Sequence, residues 1–497
     1  MRSQVEIEAK YDLAPGDPVP DLVGVAGVEA VDLLPDQELV AVYHDTDDLR
    51  LTSAGTTLRR RTGSTDDGWH LKLPLGPGER LEVHRPPGRA GSTVPKPLAA
   101  LVRVHVREAR LRPVATLTTT RRVLRLLDAD GAVVADVADD TVRAERHGQE
   151  AAFTTWRELE IELVEGAPEQ LAQLDAAVQA AGLTPAVGSS KVGRVLASEV
   201  AAPETPRLGR KALLGDALTS HFSELLSGLR AADPRLRAGV DGALEELDVT
   251  VHQLLGMLDA CRDRLDPAPV DRVTGPLGDL ARVLDDASGA EAVATDLPSA
   301  VDGEPAELVL GPVRRLVDRY VAERRRTADA ALSEALDSPA YVALLDDLDF
   351  FGAHPPLSYP DERAGEALRE AVRRSLAKTR KRCREIDPAA DELPAGLHDL
   401  VDRLRAAAAA AGLVASSKAV EVGAAADELA ALIGDYRRTV LLRDALRLLA
   451  VQAHAAGSNG FTFGRLHAQQ QRAGRVALRD LRKAGKALRQ TPVGWLD

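Results

Sequence analysis

Two hydrophobic periodicities divide the chain into a β half and a helical half. Across residues 1–200, apolar and polar positions alternate in short runs, which predicts β-strands. We predict strands at residues 5–11, 40–45, 57–61, 69–73, 80–84, 117–126, 133–137 and 156–163. Two helices, at residues 98–106 and 168–181, interrupt them. An Asp-rich turn at residues 128–131 predicts a hairpin between two of these runs.

A segment with two prolines, residues 201–208, is the predicted linker to the second half. Beyond it, apolar positions recur with the helical period. We predict helices at residues 209–231, 235–265, 270–286, 304–336, 339–348, 361–386, 393–411, 416–431, 433–455 and 465–489. The prediction is an α+β multidomain protein, with a domain at 1–200 and an all-α domain at 209–497, itself divided near 338–360.

The predicted strands carry charges on one face. In the first strand, Glu6, Glu8 and Lys10 alternate with apolar residues and share a side, each roughly 7 Å from the next. Alone, this pattern is typical of a solvated edge strand. The same pattern recurs along the chain, with Arg59 and Arg61; His70 and Lys72; Arg80, Glu82 and His84; Asp136 and Asp140; and Glu158, Glu160 and Glu162.

Two geometries account for these charged faces. An open sheet would expose them to water. A closed sheet would turn them inward and form a polar tunnel lined by both signs of charge. In such a tunnel, carboxylates would bind a hard divalent cation, and Arg and Lys would bind phosphate oxygens.

Composition and charge narrow the classes of protein to which this chain could belong. The chain has 497 residues and a net charge of −13, so we expect no general nucleic-acid binder and no specific nucleic-acid partner. The two cysteines lack metal-like spacing and predict a reducing, cytoplasmic location. We expect no signal segment and no membrane span.

Residues 1 to about 200 resemble the CYTH, or triphosphate tunnel metalloenzyme, family. The matching motifs, in order, are Glu6-Ile7-Glu8-Ala9-Lys10, Tyr43-His44-Asp45-Thr46, Leu58-Arg59-Arg60-Arg61, Trp69-His70-Leu71-Lys72, Arg80-Leu81-Glu82, Arg121-Arg122, Ala138-Asp139-Asp140, Glu158-Leu159-Glu160-Ile161-Glu162 and Ser190-Lys191. The resemblance implies a closed antiparallel β tunnel. It also implies an enzyme that hydrolyses triphosphates or cyclises nucleotides.

Site roles follow from this resemblance. The implied metal ligands are Glu6, Glu8, Glu158, Glu160 and Asp140, and the implied metal is Mg²⁺ or Mn²⁺. The implied phosphate-binding residues are Lys10, Arg59, Arg61, Lys72, Arg80, Arg121, Arg122 and Lys191. Lys10, Glu82 and Glu162 are the catalytic candidates. The basic pair departs from the family's basic-x-basic spacing, and which of Asp136, Asp139 and Asp140 faces inward stays open.

The favoured hypothesis is hydrolysis of inorganic triphosphate to phosphate and diphosphate. One alternative is a polyphosphate- or nucleotide-binding protein without turnover, although five tunnel glutamates favour catalysis. Another is a tunnel enzyme acting on thiamine triphosphate or ATP. That substrate would need aromatic walls, for which Tyr43, Trp69 and Trp156 are the obvious residues.

The helical half resembles a CHAD domain, a module of two four-helix units associated with polyphosphate. The clearest match is residues 461–468, with weaker matches around His252, His398 and Arg437. Several expected basic positions are lost, because Leu255, Asp259 and Val401 replace them. We therefore expect weakened or lost polyphosphate binding. The alternative basic surface is Arg373, Lys378, Arg380, Lys381 and Arg382. Judged singly, the helical histidines predict no metal site.

Overall fold

The structure is a computed structural model that describes residues 2–76, 78–88, 93–148, 153–186, 190–196, 208–209, 211–414 and 417–490. The chain divides into two compact units, residues 1–204 and 205–497. Residues 201–207 of the proposed linker lie outside the described residues.

The first unit is built around antiparallel strands. They are β1 (Arg2–Leu13), β2 (Ala30–Leu33), β3 (Gln37–Asp45), β4 (Thr57–Thr62), β5 (Gly68–Gly76), β6 (Glu79–Arg85), β7 (Arg112–Leu127), β8 (Val133–Arg146), β9 (Phe153–Leu163) and β10 (Thr184–Pro185). The helices between them are α1 (Arg50–Ser53), α2 (Lys96–Leu101), α3 (Arg103–Val106), α4 (Pro168–Ala180) and α5 (Lys191–Leu196). All eight predicted strands are confirmed, including the β7–β8 hairpin.

The first strand closes the sheet. Residues 2–7 of β1 pair with β6, and residues 8–13 pair with β9 on the other side. The circuit runs β1-β6-β5-β4-β3-β7-β8-β9 and returns to β1, while β2 and β10 attach outside it. The closed antiparallel tunnel that the family resemblance implies is therefore confirmed, and the open sheet is excluded.

Apolar side chains cover the outside of this tunnel. Leu159 and Ile161 of β9 share a buried cluster with Leu174 and Val178 of α4. Tyr11, on the same outer face of β1, donates a 2.6 Å hydrogen bond to Asp175 of α4. Because side chains alternate along a strand, burying these residues outward turns Glu158, Glu160 and Lys10 inward.

The second unit is all-α, as predicted. Its helices are α6 (Leu214–Arg237), α7 (Ala243–Ala260), α8 (Pro267–Asp302), α9 (Val313–Asp337), α10 (Pro339–Ala353), α11 (Ala364–Arg382), α12 (Leu397–Val414), α13 (Ser417–Ala455) and α14 (Phe461–Gln490). Within the described residues, four long helices precede α10 and four follow it. The starts of α6 and α11 meet in an antiparallel bridge between Leu213 and Arg363. No described helix combines the length and apolarity that crossing a bilayer requires.

Several helices are longer than the sequence predicts. Helix α8 has 36 residues and passes through Pro276 and Pro298, although the prediction ended it at residue 286. The sequence predicts two helices, at 416–431 and 433–455, whereas the described residues 417–455 form the single helix α13. Tertiary burial outweighs these local breaks, since Val293 and Leu297 of α8 pack with Leu446 of α13 in one core.

Candidate active site

The charged residues of β1, β8 and β9 lie side by side on the inner wall of the tunnel. Glu8 is directly opposite Glu162, and Lys10 is opposite Glu160. On the other side of β9, Glu158 is opposite Asp140. Strand register thus brings five carboxylates close to Lys10 on the inner wall.

Lys10 links the two acidic strands. Its Nζ lies 3.1 Å from Glu8 Oε1 and 2.8 Å from Glu160 Oε1. Burial opposes the positive charge, but Glu160 and Glu8 raise the pKa of Lys10. Arg80, also in the wall, places its Nε 3.3 Å from the same Glu8 oxygen. Burial opposes ionisation of Glu8, yet Lys10 lowers the pKa of that carboxyl overall.

A second cluster surrounds Lys191 at the start of α5. Its Nζ lies 3.1 Å from Asp140, 2.5 Å from Glu158 and 2.6 Å from Glu160. The Arg121 guanidinium donates a bidentate pair of hydrogen bonds to Asp140, at 2.7 and 2.6 Å, and a further hydrogen bond to Glu160 at 2.7 Å. Burial opposes ionisation of Glu160, but Lys10, Lys191 and Arg121 hold its pKa well below the ordinary value. Glu160 therefore stays ionised inside the tunnel.

The adjoining part of the wall, where β1, β6 and β5 lie side by side, holds a carboxyl pair beside a lysine and a histidine. Lys72 donates to Glu6, and His70 Nδ1 lies 2.9 Å from Glu82 Oε1. Burial raises the pKa of Glu6 to about 8. Burial acts the same way on Glu82, but the bond from His70 and the charge of Lys72 lower its pKa overall. Glu82 is thus placed to orient His70, a residue to which the sequence assigned no role.

Two arginines of β4 complete the basic lining. Arg59 Nη1 donates a 3.2 Å hydrogen bond to the Tyr43 hydroxyl, and Arg61 pairs with Asp66. Burial and the neighbouring Arg59 lower the pKa of Arg61. Arg59 and Arg61 place two positive charges close together, and a bound anion would neutralise that charge.

The structure corrects the predicted basic pair on β7. Arg121 is opposite Asp140 on the inner face, whereas Arg122 is opposite Asp139 on the outer face. The Arg122 side chain is 58% exposed, and its nearest acid is Asp36 at 3.9 Å. Because neighbouring residues on a strand point to opposite sides, Arg122 cannot share the tunnel with Arg121.

The same alternation of side chains decides which of the three aspartates of β8 face the inside of the tunnel. Asp140 is fully buried against Arg121 and Lys191, while Asp139 pairs with Arg157 on the outer face. Asp136 shares the inner face and accepts a fork from Arg125, at 2.9 and 2.8 Å. Sequence reasoning missed Arg125, although its spacing of four from Arg121 places both on one face of β7.

Of the predicted metal ligands, the structure gathers Asp140, Glu158 and Glu160. One oxygen from each lies within 4.8 Å of the other two, close enough to hold a metal ion. Glu6 and Glu8 line the neighbouring wall and are not part of that group. The donors are all carboxylate oxygens, which are the ligands that Mg²⁺ and Mn²⁺ prefer.

Of the three aromatic candidates, Tyr43 and Trp156 lie on the inner face of the tunnel beside charged partners, and Trp69 lies on the outer face. Trp69 is buried on the outer face of β5, where its ring lies 5.0 Å from that of His44. Trp156 donates a 2.5 Å hydrogen bond to Glu158, and the Arg194 guanidinium lies 5.2 Å over its ring. The Tyr43 hydroxyl accepts its hydrogen bond from Arg59.

The predicted basic surface on α11 is not a continuous face. Arg380 donates at 3.1 and 2.9 Å to the Leu488 carbonyl near the end of α14. Arg373 pairs with Glu370 on the same helix, and Arg382 pairs with Glu385 just beyond the end of α11. Helical rotation distributes these residues around α11, and polyphosphate binding by this helix stays a prediction.

Comparison with known proteins agrees with this architecture. The model of the CYTH domain matches residues 4–182, and that of the CHAD domain matches residues 220–447. An uncharacterized protein of Mycobacterium tuberculosis strain CDC 1551 / Oshkosh is 32% identical over 98% of this chain and 97% of its own length. The chain belongs to the CYTH–CHAD proteins.

Solved structures are similar to each half of this CYTH–CHAD protein. PptA from Streptomyces chartreusis is 16% identical, with a TM-score of 0.44 over 56% of this chain and 100% of its own. The CHAD domain of the plant Ricinus communis is 20% identical, with a TM-score of 0.42 over 56% and 95%. HpAC1 from Hippeastrum, an adenylyl cyclase candidate described with a dominant triphosphatase activity, is 20% identical, with a TM-score of 0.25 over 40% and 97%.

Proposed function

We propose that the tunnel hydrolyses inorganic triphosphate to phosphate and diphosphate. The observation that carries this proposal is the inner wall, where Glu8, Lys10, Glu160, Lys191, Asp140 and Arg121 form one buried network of both charges. Buried basic groups that already face carboxylates are preorganised for phosphate oxygens and a bridging cation.

The basic residues bind the substrate in this scheme. Arg59, Arg61, Lys72, Arg80, Lys10, Arg121 and Lys191 surround the interior, and the triphosphate oxygens would replace their carboxylate partners. Arg121 binds phosphate as a fork, and the lysines act as point charges. Holding the chain of phosphates in line supplies much of the catalysis, because phosphoryl transfer depends mainly on positioning and electrostatics.

Asp140, Glu158 and Glu160 would hold Mg²⁺ or Mn²⁺, with Glu6 and Glu8 on the neighbouring wall. When bound, such an ion neutralises charge on phosphate oxygens and lowers the pKa of water. Lys191 contacts all three carboxylates of that group, which supports a cation site at this position.

The reaction itself is one displacement. A water oxygen bonds to a terminal phosphorus, the bond from that phosphorus to the bridging oxygen breaks, and diphosphate leaves with the electron pair. We assign the proton of the water to Glu162, which lies opposite Glu8. Among the residues that the structure describes, Glu162 has no ion-pair partner, so its oxygens are available to water.

The small exposed area of the candidate aromatic rings supports an inorganic substrate over thiamine triphosphate or ATP. A base or thiazole ring gains affinity by stacking on an exposed aromatic face. Trp69 is outside the tunnel, and the ring of Trp156 is covered by Arg194.

Phosphate release measured with malachite green tests the proposal. The panel is triphosphate, ATP, thiamine triphosphate and long-chain polyphosphate, each with Mg²⁺, Mn²⁺ or EDTA. We expect triphosphate to be preferred, EDTA to abolish turnover, and Glu8→Gln to lower kcat/KM by at least about 100-fold. Glu165→Gln, which changes an exposed glutamate beyond β9, is the matched control. Binding of triphosphate without release of phosphate would instead identify a non-catalytic binding protein.

A further inference from the structure

A basic cavity lies outside the tunnel, where α2 and α3 pack beside the adjoining ends of β3 and β7. Its volume is about 680 Å³, which is in the range of sites for small organic ligands. The described lining contains five Lys or Arg residues and no Asp or Glu, in a chain of net charge −13. The five are Lys96, Arg103, Arg107, Arg110 and Arg112. A concave surface lined by one sign of charge concentrates ligands of the opposite sign, so the cavity favours an anion.

The two short helices show how the sequence builds this cavity. Lining residues recur at positions 96, 99, 100 and 103, which is the spacing of one helical face. Leu98, Leu101 and Val104 occupy the other face and are buried. On β3, His44 lines the cavity and points away from the tunnel, because its neighbour Tyr43 points inward to Arg59. The wall of the sheet therefore separates this cavity from the tunnel.

Three of the basic side chains have donors available to a ligand. Arg103 Nη2 donates to Glu108 at 3.1 Å, but Arg103 Nε is buried and has no hydrogen-bond partner among the described residues. A buried donor without a partner is costly, and a bound anion would satisfy it. Lys96 and Arg110 are exposed, and neither forms an ion pair with any residue that the structure describes. Arg112 differs, because it pairs with Asp47.

The backbone at Arg107 is strained. It has φ 56° and ψ −118°, a conformation that residues other than glycine rarely adopt. The Arg50 guanidinium of α1 donates to the Val106 carbonyl oxygen at 3.3 Å, which fixes the end of α3 just before this turn. Strained backbone held in place by its surroundings is concentrated at ligand-binding sites. The turn leads from α3 into the segment that carries Arg110.

The rest of the lining is largely apolar, which points to an organic part on the anion. Val94, Ala99, Ala100, Leu111 and Pro113 lie among the basic residues. A small inorganic anion would leave this apolar surface in water, whereas a flat organic group would cover it. A phosphate ester matches both parts of the lining, since its oxygens accept hydrogen bonds from Arg and Lys and its organic part covers the apolar side chains.

We propose that this cavity binds an organic phosphate of the nucleoside diphosphate class. The phosphates contact Lys96, Arg103 and Arg110, and the flat organic group lies against Ala99 and Ala100. The site is separate from the tunnel, so the proposal does not depend on hydrolysis of triphosphate.

The test uses the full chain in EDTA, with ADP as the probe. Equilibrium dialysis with radiolabelled ADP gives the stoichiometry and Kd, and photocrosslinking with 8-azido-ADP followed by peptide mass spectrometry locates the bound nucleotide. The test variant combines Lys96→Gln with Arg110→Gln. The control combines Arg122→Gln with Arg143→Gln, which removes the same charge from exposed positions that do not line the cavity. Circular dichroism confirms that each variant is folded.

We expect wild type and the control to bind ADP with affinities within about twofold of each other and to crosslink within residues 94–111. The Lys96→Gln, Arg110→Gln variant should bind at least about 10-fold more weakly and lose that crosslink, because two charged contacts are removed. Inorganic diphosphate should compete at least about 10-fold more weakly than unlabelled ADP, since it covers none of the apolar lining. The proposal is overturned if crosslinks map only to the tunnel strands, if both double variants lose affinity equally, or if diphosphate competes as well as ADP.

Discussion

Arg121 and Arg122 are neighbours in sequence that the strand places in opposite environments. Arg121 makes a bidentate contact with buried Asp140, and Arg122 faces solvent. Replacing Arg121 with Lys keeps the charge that Asp140 and Glu160 need but removes the fork. We expect Arg121→Lys to lower kcat/KM for triphosphate by about 10- to 100-fold, because a lysine cannot hold two oxygens in one plane.

Arg122→Lys is the control for that substitution, and we expect its activity to stay within about twofold of wild type, since exposed charges contribute little. Phosphate release gives the activities, and urea unfolding confirms that both variants are folded. Equal losses in the two variants would contradict the assignment of Arg121 to the substrate.

The two cysteines give a second prediction at the scale of single residues. Burial raises the pKa of Cys261 to about 12 and that of Cys383 to about 11. A thiol reacts as its thiolate, so neither should react with a disulfide reagent at neutral pH while the protein is folded. Titration with Ellman's reagent should detect both thiols only after denaturation. Rapid labelling of the native chain would show that one of them is accessible.

Much of the tunnel lining could be predicted from the sequence, because alternation along a strand is a local property. It places Glu6, Glu8 and Lys10 on one wall and Glu158 and Glu160 on the next. The inner face of β7 needed the register of the whole sheet, so Arg122 was wrongly included and Arg125 was missed. The ion-pair distances around Lys191 depend on how α5, the helix that carries this lysine, packs against the tunnel. No local sequence pattern predicts those distances.

At the scale of elements, a buried carboxylate joins α6 to its neighbours. Asp233 is fully buried and accepts from Arg237 at 2.7 Å and from the Tyr341 hydroxyl of α10 at 2.9 Å. Arg237 in turn donates to the Leu336 carbonyl of α9 at 2.7 Å. Burial raises the pKa of Asp233 even though Arg237 and Tyr341 favour its ionised form.

We expect Tyr341→Phe to lower the free energy of unfolding by about 1–3 kcal/mol at pH 8, since a buried carboxylate loses a donor. The raised pKa of Asp233 in the folded state means that its contribution to stability is largest at low pH. That contribution is lost as the pH rises through the folded pKa. Losing the tyrosine hydroxyl raises this pKa further, so the destabilisation should be smaller at pH 4 than at pH 8.

Urea unfolding at both pH values measures this effect. Tyr359→Phe is the matched control, because Tyr359 is 60% exposed, and we expect no measurable change from it. A loss of stability in Tyr341→Phe that is equal at the two pH values would exclude titration of Asp233 as its cause.

Helix ends were the least predictable elements. The predicted helices end at residue 231, before Pro234, and at residue 286, before Pro298, yet α6 and α8 continue through these prolines. A proline removes one backbone hydrogen bond, a cost of about 3 kcal/mol that burial of an apolar face can offset. Hydrophobic periodicity predicts that these helices exist and that each buries an apolar face. Whether a helix continues through a proline depends on the apolar surface that the folded unit buries, which no local pattern predicts.

At the scale of the whole molecule, charge argues against tight binding of polyphosphate by the helical unit. The chain carries a net charge of −13, and three carboxylates, Asp248, Asp285 and Asp402, lie around the neighbouring histidines of α7 and α12. Affinity for a polyanion comes mainly from released counterions, which requires uncompensated Lys or Arg. Arg437 and Arg405 are present there, but Arg437 pairs with Asp285 and Arg405 with Asp427.

We therefore expect the full chain carrying Glu8→Gln, in EDTA, to show only weak retention of long-chain polyphosphate in a mobility-shift assay. Neutralising two of the three carboxylates, with Asp248→Asn and Asp402→Asn together, should tighten binding by about 10-fold, since less negative charge would then repel the polyanion beside Arg405 and Arg437. The control is Glu334→Gln with Asp361→Asn, which removes the same charge from exposed positions and should change binding much less. Tight, salt-sensitive binding by the chain without these substitutions would show that other basic residues of the helical unit suffice. An equal gain in both double variants would mean that net charge alone, and not the acids beside the histidines, keeps the polymer away.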